Sequence, residues 1–161
     1  MQRSFNSRNL ERVVPLKHEL ELLHSYLYIE KERFGDRLKV VWDIPDCISV
    51  EVPPLSIQTI VENAVRHGVM ARSSGVTIWI WIADEANYTT ITVMDNGMGM
   101  SEEKLSQLLY PSSKQVKGAG LISTDRRLKQ IYGYGLYISS ELGQGTTVTF
   151  TIPKTAVKGA E

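Results

Sequence analysis

The chain has 161 residues, with 18 acidic against 18 basic side chains and a single cysteine, Cys47. That length suits one domain with a real core, and the apolar and charged fractions are those of an ordinary globular protein. Balanced charge argues against a nucleic-acid partner or an anionic membrane surface, one cysteine excludes an internal disulfide, and no apolar run reaches the length of a membrane span.

Residues 1–15 are polar and basic, with no signal-like apolar core and no period that specifies structure. A helix is predicted from Leu16 to about Phe34. Leu16, Leu20, Leu23, Leu27 and Ile29 form its apolar stripe, and Glu19, Glu21, Glu30, Lys31 and Glu32 lie outside it. On this pattern His18 and His24 are helix-surface residues. Gly35-Asp36 breaks the helix, Leu38 to Ile44 reads as a strand, Pro45-Asp46 as a turn, and Ser49 to Val52 as a short extended piece.

The next helix runs from Pro54 to Gly68, with Leu55, Ile57, Ile60, Val61, Ala64 and Val65 on its apolar side. Pro53-Pro54 starts it and Gly68 stops it. Asn63 and His67, four residues apart, share one face, and Glu62 and Arg66 share the adjoining one. Four polar or charged groups in six residues point to a metal ion and phosphates, although a solvated helix face has the same pattern.

Val76 to Ile82 and Tyr88 to Met94 form an antiparallel hairpin across Asp84-Glu85-Ala86-Asn87. Trp79 and Trp81 share one strand face and Ile78, Ile80 and Ile82 the other; either can be the covered one. Ser101 caps a short helix reaching about Leu109. The polar loop Tyr110 to Lys117 follows, then Gly118-Ala119-Gly120 opens a helix from Leu121 to Tyr132, ended by Gly133. Tyr134 to Ser140 and Thr146 to Ile152 make a last hairpin, and the tail after Pro153 is expected to fray. Helices interleaved with hairpins predict a two-layer α/β (α+β) sandwich: a mixed, mostly antiparallel sheet with helices on one face.

Asp95-Asn96-Gly97-Met98-Gly99 ends the second strand of the first hairpin. A carboxylate there needs a partner, and as an acceptor it suits the exocyclic amine of adenine, while Gly97 and Gly99 let backbone approach a flat base. An Asp-Asn-Gly turn is the plainer reading. Gly118 and Gly120 precede a helix N-terminus, where free N–H groups favour phosphate. Lys114 and Lys117 lie in the loop before it, which would serve as a lid.

Taken in order, the stretches around Asn63, Asp95 and Gly118 resemble the N, G1 and G2 boxes of the GHKL ATP-binding fold of histidine kinases, type II topoisomerases, a chaperone family and mismatch-repair ATPases. The resemblance implies a catalytic role for Glu62 and Asn63, with Asn63 as the Mg²⁺ ligand. It places Arg66, His67, Lys117, Gly118, Gly120 and Leu121 at the phosphates, and Asp95, Gly97, Gly99 and Thr147 at the adenine. Leu16-Lys17-His18-Glu19-Leu20, Tyr26 to Glu30, Arg33 to Leu38, Arg126-Arg127-Leu128 and Tyr132-Gly133 extend the likeness to LytS-type sensor kinases across nearly the whole chain.

That likeness implies a linker helix over 1–35, an ATP-binding catalytic domain over 36–155 and a tail over 156–161. The family's phosphoacceptor motif is missing, so the chain is expected to bind ATP and Mg²⁺ without autophosphorylating alone. The expected partners are a phosphoacceptor histidine domain of the same protein and a response regulator. The whole protein is expected to be a membrane-anchored homodimer with this domain in the cytoplasm, and the isolated domain a monomer. ATPase branches carry a glutamate four residues before the metal-binding Asn; here that residue is Thr59, which cannot act as such a base. The alternatives are a non-catalytic nucleotide-binding module and a GHKL-type ATPase.

Overall fold

The computed structural model describes residues 13–69, 72–110 and 119–154. Its elements are β1 (Val14–Pro15), α1 (Leu16–Phe34), a 3-10 turn (Gly35–Arg37), β2 (Leu38–Asp43), β3 (Glu51–Val52), α2 (Ser56–Val69), β4 (Val76–Asp84), β5 (Tyr88–Asp95), α3 (Glu102–Leu109), α4 (Ala119–Tyr132), β6 (Tyr137–Glu141) and β7 (Gly145–Pro153). The five-stranded sheet has the order β2-β4-β5-β7-β6 and is antiparallel except where β2 runs parallel to β4. The predicted mixed, mostly antiparallel sheet is what forms.

Register decides which side faces the helices. Ile78 pairs with Asp95, Ile80 with Val93 and Ile82 with Ile91, and the row continues into Thr146, Val148 and Phe150 of β7. The apolar members of that row are buried. Trp79 and Trp81 share the opposite face with Met94, Thr92, Thr147 and Thr149, and are only half-buried. The isoleucine face is therefore the covered one. It meets Ile57, Ile60, Val61, Ala64 and Val65 of α2, each nearly inaccessible. Burying a side chain of this size stabilises by about 1.5–3 kcal/mol.

Three sequence expectations need correction. Glu19 is 2% exposed while Ile29 is 65% exposed, because position 19 lies one turn from both Leu16 and Leu23 on the side of α1 that meets the domain. Leu55 belongs to no helix: it is 50% exposed with φ of 64°, and α2 begins after it. Gly68 does not stop α2, which continues to Val69. A β-carbon on Gly68 would lie 2.7 Å from the Val76 side chain, so glycine lets the helix approach β4.

Helix α1 is built into the domain rather than standing off it. Leu16, Leu23 and Leu27 join the common core, Val14 pairs with Val52, and the Leu16 N–H donates to the Val50 carbonyl at 2.8 Å. His24 stacks on Trp42 with ring centroids 4.0 Å apart.

Candidate active site

The end of β5, the C-terminal half of α2 and the β6–β7 hairpin converge. Asp95, last residue of β5, projects from the helix-covered face, so its carboxylate is partly taken out of water. Burial pushes its pKa up, and the N–H groups of Gly97 and Thr146 pull it back. The Gly97 N–H donates to Asp95 Oδ1 at 2.8 Å, which orients the carboxylate and leaves lone pairs for a ligand.

The turn after Asp95 is held from three sides. Asn96 Oδ1 accepts from the Thr77 N–H at 2.8 Å, and Arg72, from the loop after α2, donates to the Asn96 carbonyl at 3.0 Å. The Gly143 N–H donates to the Met98 carbonyl at 2.6 Å, and the Met100 N–H to Ser140 Oγ at 2.8 Å. A β-carbon on Gly97 would lie 3.1 Å from Gly68 Cα, so the turn rests directly on the end of α2. Gly99 has φ of 70°, and a side chain there would run into the Glu141 carbonyl. Sequence reasoning missed Arg72, Ser140 and Gly143 as the supports of this turn; their partners are 24 to 71 residues away.

Asn63 is half-buried, while Arg66 and His67 are exposed along the same end of α2. His67 is held below the ordinary histidine range by partial enclosure of its ring, then by the nearby charges of Lys104 and Arg66. In the nucleotide-free domain this favours the neutral imidazole, which still has one ring N–H to donate. Lys104, in the first turn of α3, was not picked out from the sequence, since nothing local distinguishes it from other surface lysines.

Glu62 faces away from Asn63, as the helical offset requires. Its Oε2 accepts from Gln58 Nε2 at 2.9 Å, and it lines a groove of about 230 Å³ between α1 and α2 with Tyr26, Glu30, Arg33 and Arg66. Arg66 thus borders that groove from the same end of α2 that bears His67.

The structure bears on two of the adenine- and phosphate-side expectations. Thr147 pairs with Met94 and lies on the opposite sheet face from Asp95; the threonine in register with Asp95 is Thr146, whose Oγ1 is 2.8 Å from Ser140 Oγ. Leu121 is 2% exposed, so its side chain anchors α4 in the core and only its backbone is free for a phosphate. Lys117 and Gly118 lie outside the described residues. Gly120 does sit at the start of α4, where a β-carbon would come within 3.0 Å of Thr59 Cγ2. Glycine here brings α4 against α2 at the position where ATPase branches carry their glutamate. We expect Gly120→Ala and Thr59→Ser to be coupled by about 1 kcal/mol in a double-mutant cycle read by urea unfolding, the alanine being better tolerated beside serine.

Residues 54–156 match the family described as histidine kinase-, DNA gyrase B-, and HSP90-like ATPase. The chain belongs to that family. Residues 1–38 of this kinase-type domain also match the family described as histidine kinase. It is 40% identical over 153 residues to YwpD of Bacillus subtilis (strain 168), covering 94% of this chain and 54% of that protein. It is 35% identical over 147 residues to the sensor protein LytS of Bacillus cereus (88% and 25% covered) and 34% over 140 residues to the sensor histidine kinase YpdA of Escherichia coli K12 (87% and 24%). The chain thus spans between about a quarter and about half the length of these relatives.

Among solved structures, the catalytic domain of histidine kinase ThkA superposes with a TM-score of 0.69 at 15% identity, covering 89% of this chain and 98% of that one. Full-length ShkA in complex with AMPPNP gives 0.64 at 18%, covering 88% and 31%. At such identities the likeness is one of fold. The chain is a histidine-kinase-type catalytic domain related to the LytS sensor kinases, built on a nucleotide-binding fold.

Proposed function

We propose that this domain binds ATP with Mg²⁺ and delivers the γ-phosphoryl group to a histidine on a dimerisation domain outside this chain. The observation that carries the reading is the seating of the Asp95–Gly99 turn on the end of α2 that bears Asn63 and His67. One contact surface then offers a carboxylate for the adenine amine at one side and an amide oxygen with N–H donors for phosphates at the other.

Asn63 supplies one oxygen donor, and among the described residues no cluster of three or more His, Cys, Asp or Glu side chains forms a metal cage. That sparse donor set fits Mg²⁺, which keeps several waters and takes the rest of its ligands from the triphosphate. When bound, the ion neutralises charge on the β- and γ-phosphoryl oxygens. Arg66 and His67 donate to phosphate oxygens, and Lys104 adds positive charge at the mouth of the cleft. In the transfer, a neutral imidazole nitrogen of the acceptor attacks the γ-phosphorus, and the bond to the β,γ-bridging oxygen breaks with its electrons leaving on ADP. Glu62, held by Gln58, accepts the N–H of the incoming imidazole and orients it. Thr59 provides no base for water, which favours transfer over hydrolysis.

A response regulator receives the phosphoryl group next. The whole protein is a membrane-anchored homodimer with this domain on the cytoplasmic side, and the isolated domain is a monomer. No helix among the described residues is long and apolar enough to cross a membrane, so the anchor belongs to a part outside them.

The test combines this chain with a separately supplied phosphoacceptor domain and labelled ATP. Alone, the chain is expected to bind ATP without turnover; with the acceptor, label appears on histidine. Glu62→Gln is expected to leave ATP affinity within twofold and slow transfer at least about tenfold, a change of roughly 1.4 kcal/mol in the barrier. Unchanged transfer would remove Glu62 from the chemistry, and phosphate release by the chain alone would favour an ATPase.

A further inference from the structure

The N-terminus of α2 has no cap of its own. Proline lacks an N–H, leucine lacks an acceptor side chain, and the residues ahead of the helix are Pro53, Pro54 and Leu55. Ser56 Oγ donates instead to the Pro53 carbonyl at 2.8 Å. The orphan N–H groups of a helix start still need acceptors. Here they find one 36 residues away: the Leu55 N–H donates to Glu19 Oε2 at 2.8 Å, and the Ile57 N–H also points to that carboxylate.

Glu19 is an expensive cap. Its side chain is almost wholly buried, and among the described residues its Oε1 has no hydrogen-bond partner. Burial pushes its pKa up, and the Leu55 N–H, His18 and the Ile57 N–H draw it back. A serine or aspartate at position 55 would cap α2 locally without burying a carboxylate in the core. What the remote cap adds is a mechanical link between α1 and α2. The link has a counterpart on the other side, where Arg127 of α4 donates to the Pro54 carbonyl at 3.1 Å. Between the two clasps Leu55 is held in the left-handed region, a conformation that persists for a non-glycine residue only when its surroundings enforce it.

We infer that Glu19 is a positioning residue for the nucleotide site: by clasping the start of α2 from α1, it sets the axial position and rotation of the helix that carries Asn63 and His67. Asn63 lies eight residues after Leu55, roughly 12 Å along the helix. Adenine is read from β5 and its turn, so a shift of α2 acts first on the metal and phosphate end. This rests on the assignment of Asn63 to that end.

The test measures, on the whole chain, the affinity for Mg-ATP and, by displacement, for adenosine, which has neither phosphate nor metal. Parent, Glu19→Leu, Glu19→Gln, Arg127→Met and Asn63→Ala are compared, with thermal unfolding to establish that each is folded. Glu19→Leu is expected to lower Mg-ATP affinity about tenfold while adenosine stays within twofold. Glu19→Gln, which keeps an acceptor for the Leu55 N–H, should retain most of the Mg-ATP preference, and Arg127→Met, an exposed change that leaves the core intact, should lower it two- to threefold. Parallel loss of both ligands in Glu19→Leu, or no loss, overturns the inference. If Glu19→Leu does not fold, an unchanged preference in Arg127→Met overturns it. If Asn63→Ala leaves the preference untouched, the metal assignment falls and the role of Glu19 with it; if Asn63→Ala lowers it and Glu19→Leu does not, the inference about Glu19 falls alone.

Discussion

Asp95→Asn is expected to weaken ATP binding at least about tenfold, a loss of roughly 1.4 kcal/mol or more, without unfolding the domain. Oδ1 of asparagine still accepts from the Gly97 N–H, so the turn keeps its shape. The second side-chain atom changes from acceptor to donor and opposes the adenine amine. The same substitution should leave the nucleotide-free domain as stable as the parent, or slightly more so. Burial raises the Asp95 pKa in the fold, so its ionised form carries a cost at neutral pH that the neutral amide does not. A carboxyl raised on folding binds its proton more tightly in the native state. Its penalty is therefore absent below the unfolded value and complete above the folded one. The difference in Tm between variant and parent should narrow as the pH falls through that range. Calorimetric titration with ATP and thermal unfolding of the free domain check both halves, and a variant that binds ATP like the parent would place the adenine elsewhere.

Gly145→Ala is expected to cost the most stability, about 3 kcal/mol, and to abolish nucleotide binding with it. Gly145 has φ of 108°, and a β-carbon there would collide with the Asp95 carbonyl and come within 2.9 Å of Asn96 Cα. Both obstacles are backbone, so neither can rotate aside. Relief requires β5 and β7 to part at the Asp95–Thr146 pair, the place where the carboxylate is oriented. Gly143, two residues earlier in the same hairpin, also has positive φ, but its β-carbon would meet open space. Gly143→Ala should cost only about 1 kcal/mol and leave ATP affinity near the parent value. Urea unfolding of the two variants separates collision from conformational strain; equal losses would show that φ alone governs both.

The two substitutions illustrate how differently the parts of the site were written in the sequence. Asp95, Gly97 and Gly99 form a contiguous signal, since a carboxylate at a strand end followed by spaced glycines is local chemistry. Asn63 and His67 were equally open to reading, because helical spacing alone puts them on one face. The hairpins, the capped α3 and the bounds of α1 followed from period and turn residues, all short-range properties of the chain.

Contacts across the fold were beyond that kind of reading. Alternation showed that Trp79 and Trp81 share a face and that Ile78, Ile80 and Ile82 share the other, but which face is buried depends on where α2 packs. Thr146 rather than Thr147 stands beside Asp95 because register between β5 and β7, not sequence distance, selects the neighbour. Glu19 entered the core, against its charge, because an uncapped helix start 36 residues away offered N–H groups to its carboxylate. Gly68 and Gly120 read as a helix stop and a phosphate loop, yet their missing β-carbons also make room for Val76 and Thr59. By itself the sequence nominated candidate residues for the chemistry and the elements they lie on. Only the tertiary structure decided what each meets, since burial, register and close approach belong to pairs of segments and not to either alone.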